Sequence, residues 1–147
     1  MYWKPALLGV VCFLAQTGGK ACAAVAWPTA QIQYSWPLRL GGEIGVNFNR
    51  SSDFWEMAGP FISVSGGRDG LGLNVGHKEF LPFLAPIAAG TGPSALYLWD
   101  DGGSTFVGAR ASISIMLVSV SSGAYRRVSG DLHDDWLFSL GVGAGFP

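Results

Sequence analysis

A regular alternation of apolar with polar or small residues runs from Ala30 to Phe48, and it limits the possible folds more than any other feature. Even positions read Ala, Ile, Tyr, Trp, Leu, Leu, Gly, Ile, Val and Phe, whereas odd positions read Gln, Gln, Ser, Pro, Arg, Gly, Glu, Gly and Asn. A period of two is the signature of a β-strand, because a helix repeats every 3.6 residues. Pro37 lacks the N–H that a sheet ladder needs, so we expect two strands that divide at Pro37 or at Gly41-Gly42.

The alternation recurs in three later segments, 71–76, 107–117 and 136–146, and turn-forming residues separate them. The sequence therefore predicts an all-β fold, a small antiparallel up-and-down transmembrane β-barrel. Membrane-spanning strands of about 9–11 residues divide the chain after residue 24 into about eight. Joining 30–48 and 105–128 into single bent strands would leave six, but single-chain barrels begin at about eight strands. The expected strands are 29–36, 39–48, 55–65, 70–79, 94–100, 105–115, 117–127 and 135–146.

Residues 80–94 fit this scheme least well. They are apolar, but they contain Pro82, Pro86 and Pro93. Proline removes a ladder donor and is confined mainly to strand edges and bulges. A long loop, a poor strand and a segment lying in the membrane interface all remain open for this stretch.

The first 24 residues are typical of a cleaved secretory signal peptide. Lys4 and the α-amine provide a basic start, residues 6–15 (ALLGVVCFLA) are apolar, and Ala21-Cys22-Ala23 offers the small residues of a cleavage site. A transmembrane helix needs about 20 apolar residues, and polar residues interrupt this segment from position 16 onward. We expect the barrel domain to span 25–147. Both cysteines lie before it, so we expect neither disulfides nor thiol catalysis in the mature chain.

Composition indicates which face of the strands meets water. Charged residues make up 13% of the chain, about half the ~25% of soluble domains. The polar face consists mainly of glycine, serine and asparagine, which suits a narrow lumen, whereas the apolar face has aromatic residues near strand ends, which suits lipid. A soluble periplasmic β-barrel or sandwich that binds an apolar ligand stays open, because it gives the same alternation. The net charge of −1 excludes a strongly basic nucleic-acid binder.

The last strand carries a dyad repeat that ends in an aromatic residue. Trp136, Phe138, Leu140 and Phe146 belong to its apolar set, and Pro147 follows. This pattern resembles the terminal strand of bacterial outer-membrane β-barrel proteins, which the barrel-assembly machinery recognises. The resemblance implies that these four residues form an assembly signal. It also implies a location in the outer membrane of a Gram-negative bacterium, with outer-membrane lipid and the assembly machinery as partners.

Three charged residues on the polar face are the main site candidates. Arg39, Glu43 and Arg110 are expected to form an ion network inside the lumen, joined by Glu56 or Arg126. A charge buried there must be paired, or it costs several kcal/mol. A lumen of about eight strands is just wide enough for side chains to fill, so a solute path is the minor alternative.

Candidates for catalysis and metal binding are few. His77 could act with Ser63 or Ser65 in an interfacial acyl hydrolase, but the chain has no G-x-S-x-G elbow. Asp131, His133, Asp134 and Asp135 could hold a cation, although their spacing matches no recognised loop. We expect no catalysis, no cofactor and no metal, and a structural or surface-interaction role. The alternative is a lipid-modifying barrel enzyme.

Overall fold

The computed structural model describes residues 25–49, 58–82, 86–99, 103–130 and 135–146. The predicted signal peptide therefore lies outside the described residues. Eight antiparallel strands follow one another in chain order around the sheet, and β1 pairs with β8 to close a barrel. The strands are β1 Val25–Trp36, β2 Arg39–Asn49, β3 Gly59–Gly67, β4 Gly70–Pro82, β5 Pro86–Leu98, β6 Ser104–Ile115, β7 Val118–Ser129 and β8 Trp136–Phe146.

This architecture confirms the predicted all-β, eight-stranded, up-and-down barrel. We call the end at which β1 begins and β8 finishes the near end, and the opposite one the far end. The connections at 37–38 and 68–69 lie at the far end, and the one at 116–117 lies at the near end. Within the described ranges, no helix is long and apolar enough to cross a membrane.

The proline-rich stretch 80–94 is largely strand, so the predicted start of the fifth strand at residue 94 is wrong. Residues 80–82 belong to β4, and β5 begins at Pro86; residues 83–85 lie outside the described part. The prolines hid this strand because each removes a ladder donor. Two of them stand at strand ends, where an N–H is needed least.

Pro93 lies inside β5 and interrupts its ladder with β4. The two strands pair continuously from Gly70 opposite Leu98 to Asn74 opposite Ser94. Pairing resumes at His77 opposite Thr91, and the two pairs between these points are missing. Pro93 has no N–H to give to the carbonyl of Val75, and antiparallel hydrogen bonds come in closely coupled pairs. One missing donor therefore accounts for both missing pairs. On its other edge, β5 pairs continuously with β6.

The two faces of the barrel wall follow the predicted orientation. Exposure is 68% for Ile44 and 64% for Leu140, and Ile113, Ile115 and Val142 are also at least half exposed. Val46 points the same way but is partly covered. The side chains of Glu43 and Arg110 are only 12% and 14% exposed. The aliphatic residues therefore lie on the outside and the charges inside.

The interior has two parts. At the far end, apolar side chains from four strands and one turn pack together and fill the lumen; we call this cluster the apolar plug. Its members are Leu38, Leu96, Leu98, Phe106, Tyr125 and Leu137. Towards the near end the inward side chains are mostly polar, with buried serine and asparagine residues on several strands. The polar part holds the candidate site.

Candidate functional site

An ion pair between Glu43 and Arg110 spans the lumen. Glu43 lies on β2 and Arg110 on β6, which stand on opposite sides of an eight-stranded ring. Arg110 Nη1 donates to Glu43 Oε2 at 2.8 Å. Because both side chains are largely buried, this charge-assisted bond is shielded from solvent screening. The pair links the two halves of the barrel wall.

Neutral side chains form further hydrogen bonds with the carboxylate of Glu43 and the guanidinium of Arg110. Glu43 Oε1 accepts a hydrogen bond from Ser63 at 2.7 Å, and Oε2 accepts a second from Gln31 at 3.2 Å. Arg110 Nη2 donates to Gln33 Oε1 at 3.3 Å and to Ser121 Oγ at 3.1 Å. A buried ion pair is stable only when such additional bonds complete it.

The hydrogen bonds continue from this pair towards the apolar plug. Asn74 donates to Ser63 at 3.2 Å, and Ser94 donates to Asn74 Oδ1 at 2.6 Å. The hydroxyl of Tyr125, a member of the plug, donates to Ser94 at 3.3 Å. On the other side, Ser119 donates to Gln31 Oε1 at 2.7 Å. We call this connected set of side chains the lumen network; its members are Gln31, Gln33, Glu43, Ser63, Asn74, Ser94, Arg110, Ser119, Ser121 and Tyr125. These described residues come from every strand except β8.

Arg39, the third predicted member, does not join the lumen network. Its Nε contacts Asp69 Oδ2 at 3.3 Å, and its side chain is 53% exposed. Arg39 has a φ of 62°, in the left-handed region, so its backbone departs from the extended geometry that would aim the side chain inward. The predicted membership of Arg39 is wrong for this local reason. Arg126 is exposed on the outer face, and Glu56 lies outside the described residues.

Sequence reasoning did not assign Gln31, Ser63 and Asn74 to the site. Each occupies an inward position of its strand, so the alternation contained a signal. Small neutral polar residues are common on such faces, however, and the sequence does not indicate which strands meet across the lumen. The pairing of Glu43 with Arg110, separated by 67 residues, needs the closed ring.

A narrow cavity extends from the lumen network towards the near end. Its wall includes Lys78, Ser112 and Ser114 together with Glu43 and Arg110 of the lumen network, and it reaches Phe146. The space open to the centre of a water molecule is about 30 Å³, room for about two waters. The Nζ of Lys78 lies 5.6 Å from the ring centroid of Phe61, within range of a cation–π interaction. Such dimensions fit a filled lumen rather than a solute channel.

The serine–histidine arrangement considered above is not formed by Ser63 or Ser65. His77 is exposed on the outer face of β4 and contacts Glu79 at 3.9 Å. Ser63 and Ser65 are buried on the lumen face of β3. The barrel wall therefore separates His77 from both hydroxyls, because neighbouring inward and outward positions project to opposite faces.

The acidic cluster before β8 is only partly within the described residues. Asp135 forms an ion pair with Arg127 at 2.9 Å, whereas residues 131–134 are outside them. Where the chain is described, no three potential ligands come together in a metal site.

Aromatic residues lie on the outer face close to the strand ends. Tyr34, Trp36, Tyr97 and Trp99 are exposed near the far end. The four residues assigned to the assembly signal, Trp136, Phe138, Leu140 and Phe146, share one face of β8 and are 48–65% exposed.

No known protein family, curated protein or solved structure matches this chain.

Proposed function

We propose that this chain is an outer-membrane β-barrel protein of a Gram-negative bacterium, with a structural or surface-interaction role and no catalysis. The observation that carries the proposal is the distribution of side chains, with large apolar residues around the outer face and a buried ion pair with polar residues in the middle of the lumen. Large hydrophobic residues are exposed on all eight strands. Soluble monomers rarely expose continuous apolar patches larger than about 300–600 Å².

On the described strands, few ionisable side chains lie on the outer face. Glu79 stands towards the near end of β4 and Arg126 towards the far end of β7, whereas His77 lies one residue from the middle of β4. A basic residue on a lipid-facing wall costs about 2–4 kcal/mol at the bilayer midplane but about 0–1 kcal/mol near the interface. This placement is compatible with an apolar belt around the middle of the barrel. The exposed aromatic residues at the far end match the girdles of such belts.

The lumen supports a structural role rather than transport. The apolar plug fills one end, and the lumen network crosses the middle. The same features disfavour a soluble barrel that stores an apolar ligand, because its cavity would need an apolar lining. Closure of the sheet also leaves every strand paired on both edges, which hydrocarbon surroundings require.

Fractionation of a Gram-negative host expressing the chain tests the proposal. We expect the protein in the outer-membrane fraction, released only by detergent. Unheated samples should migrate differently from boiled samples on a denaturing gel, because a folded barrel binds less detergent than the unfolded chain. Recovery of a folded protein in the soluble periplasmic fraction without detergent would refute the membrane assignment and favour the soluble alternative.

A further inference from the structure

We propose that the near-end cavity binds a small monovalent inorganic anion of chloride size beside Lys78. The starting observation is a charge imbalance. Glu43 and Arg110 neutralise each other at 2.8 Å. Within the described ranges, no carboxylate lies within 4 Å of Lys78 Nζ, although this residue faces the lumen and is half-buried.

The carboxylate of Glu43 lines the same cavity as Lys78, but other donors already occupy its oxygens. Both oxygens of Glu43 already accept hydrogen bonds, Oε1 from Ser63 and Oε2 from Arg110 and Gln31. The ring of Phe61, 5.6 Å from Nζ, offsets part of the desolvation through its quadrupole. A partly buried cation with no counter-ion costs free energy, and an anion in the adjoining cavity would remove that cost.

The cavity also offers neutral donors for an anion. Ser112 and Ser114 line it together with Lys78, and each carries a hydroxyl that can donate a hydrogen bond. Gly90, on the strand between them, leaves the space open. A Cβ added at Gly90 would stand 3.1 Å from Ser112 Oγ and 3.7 Å from Lys78 Cε. The two side chains therefore converge on a space that any larger residue at position 90 would begin to fill.

The size of the cavity selects the class of anion. About 30 Å³ is open to the centre of a water molecule, which corresponds to about two waters. A halide, comparable in size to a single water molecule, is the simplest anion that fits this space. Among the described residues, one cation without a carboxylate partner also matches one negative charge. The site does not depend on what surrounds the outer face, so it holds for a membrane barrel and a soluble barrel alike.

Unfolding at constant ionic strength, with sodium chloride progressively replacing sodium gluconate, tests the site. The barrel is held in an uncharged, phosphate-free detergent. We expect the unfolding midpoint to rise with chloride concentration and to saturate, because a ligand that binds only the folded state stabilises it. Lys78→Met should raise the half-saturating chloride concentration at least tenfold. Arg68→Met, which removes a cation whose side chain is 86% exposed, should leave it unchanged.

A second variant keeps the test decisive if Lys78→Met does not fold. Gly90→Ala retains both charges but narrows the space, and it should also raise the half-saturating chloride concentration. Crystals of the unaltered protein soaked in sodium bromide should show an anomalous peak beside Lys78 Nζ. Equal midpoints in chloride and gluconate would overturn the proposal. So would an unchanged chloride dependence in either cavity variant, or bromide bound only elsewhere.

Discussion

The charges of Glu43 and Arg110 neutralise each other inside the lumen, so the burial of each charge is stable only while the other is present. Removing the cation with Arg110→Met leaves the carboxylate of Glu43 buried without its partner, because the side chain is only 12% exposed. Breaking a buried pair in this way costs about 3–5 kcal/mol. We expect a loss of this size in the free energy of unfolding, measured with urea in neutral vesicles.

The matched control is the double variant Glu43→Gln/Arg110→Met. It removes both charges, so its loss should be clearly smaller than the sum of the two single losses. Arg126→Met removes an exposed outward cation and should change the unfolding free energy by less than about 0.5 kcal/mol. Additive losses in the double variant would contradict the assignment of a direct ion pair.

Inward glycines allow the strands to approach closely in this narrow barrel. At Gly108, an added Cβ would overlap the carbonyl oxygen of Ala124, whereas at the outward Gly42 the nearest atom is the Gln31 carbonyl oxygen at 3.6 Å. We expect Gly108→Ala to lower the free energy of unfolding by about 1–3 kcal/mol through overpacking. Gly42→Ala should be neutral or slightly stabilising. Equal effects in urea unfolding would contradict the close packing of the inner wall.

Individual residues also show which side-chain positions could be predicted from the sequence and which could not. Alternation was enough to place Glu43 and Arg110 on the inner face. It gave Arg39 the same parity, but the side chain follows the local backbone, and a φ of 62° takes it to Asp69. Parity defines a face only where the chain is extended, and the sequence does not show where an extended strand gives way to a turn.

At the scale of the element, β8 closes the barrel. It pairs with β1 on one edge, from Phe146 opposite Ala30 to Leu140 opposite Trp36, and with β7 on the other edge. Deleting Gly143–Pro147 removes the β1 partners of Ala30, Gln31, Ile32 and Gln33. Each backbone group left unpaired in hydrocarbon costs several kcal/mol. We expect exported protein that stays unassembled and sensitive to protease.

Removing Pro147 alone is the control for this truncation. Proline supplies no ladder donor, so the shortened chain should assemble as the full chain does. A folded, protease-resistant barrel after the five-residue deletion would show that the end of β8 is dispensable. The assembly signal assigned to Trp136, Phe138, Leu140 and Phe146 would then have to be withdrawn.

Strands with clear alternation could be located from the sequence, and the strand containing Pro93 could not. Residues 107–115 and 136–146 alternate without interruption, and β6 and β8 lie there. In β5 the prolines masked the period. The closed sheet tolerates Pro93 because only one edge of the strand loses its pairing while the edge towards β6 stays intact. This compensation depends on neighbours that are distant in sequence.

For the whole molecule, the distance of an outward residue from the middle of the barrel wall should determine how much a charge introduced there lowers the free energy of unfolding. Ala111 is exposed in the middle of β6, and Val128 is 62% exposed at the far end of β7. In a bilayer, Ala111→Arg should cost about 2–4 kcal/mol and Val128→Arg about 0–1 kcal/mol. Unfolding titrations in phosphatidylcholine vesicles measure both. Equal costs would contradict an apolar belt centred on the strands.

The proposed contact of the outer face with lipid is tested most directly by spin labels along β6. Residues 25–147 contain no cysteine, so single cysteines from 107 to 115 can each be labelled. In vesicles, we predict that odd positions collide often with oxygen, which concentrates in lipid, and rarely with a water-soluble nickel reagent. Even positions, which face the packed lumen, should collide rarely with oxygen. Odd positions that are open to the nickel reagent along the whole strand would contradict the membrane assignment.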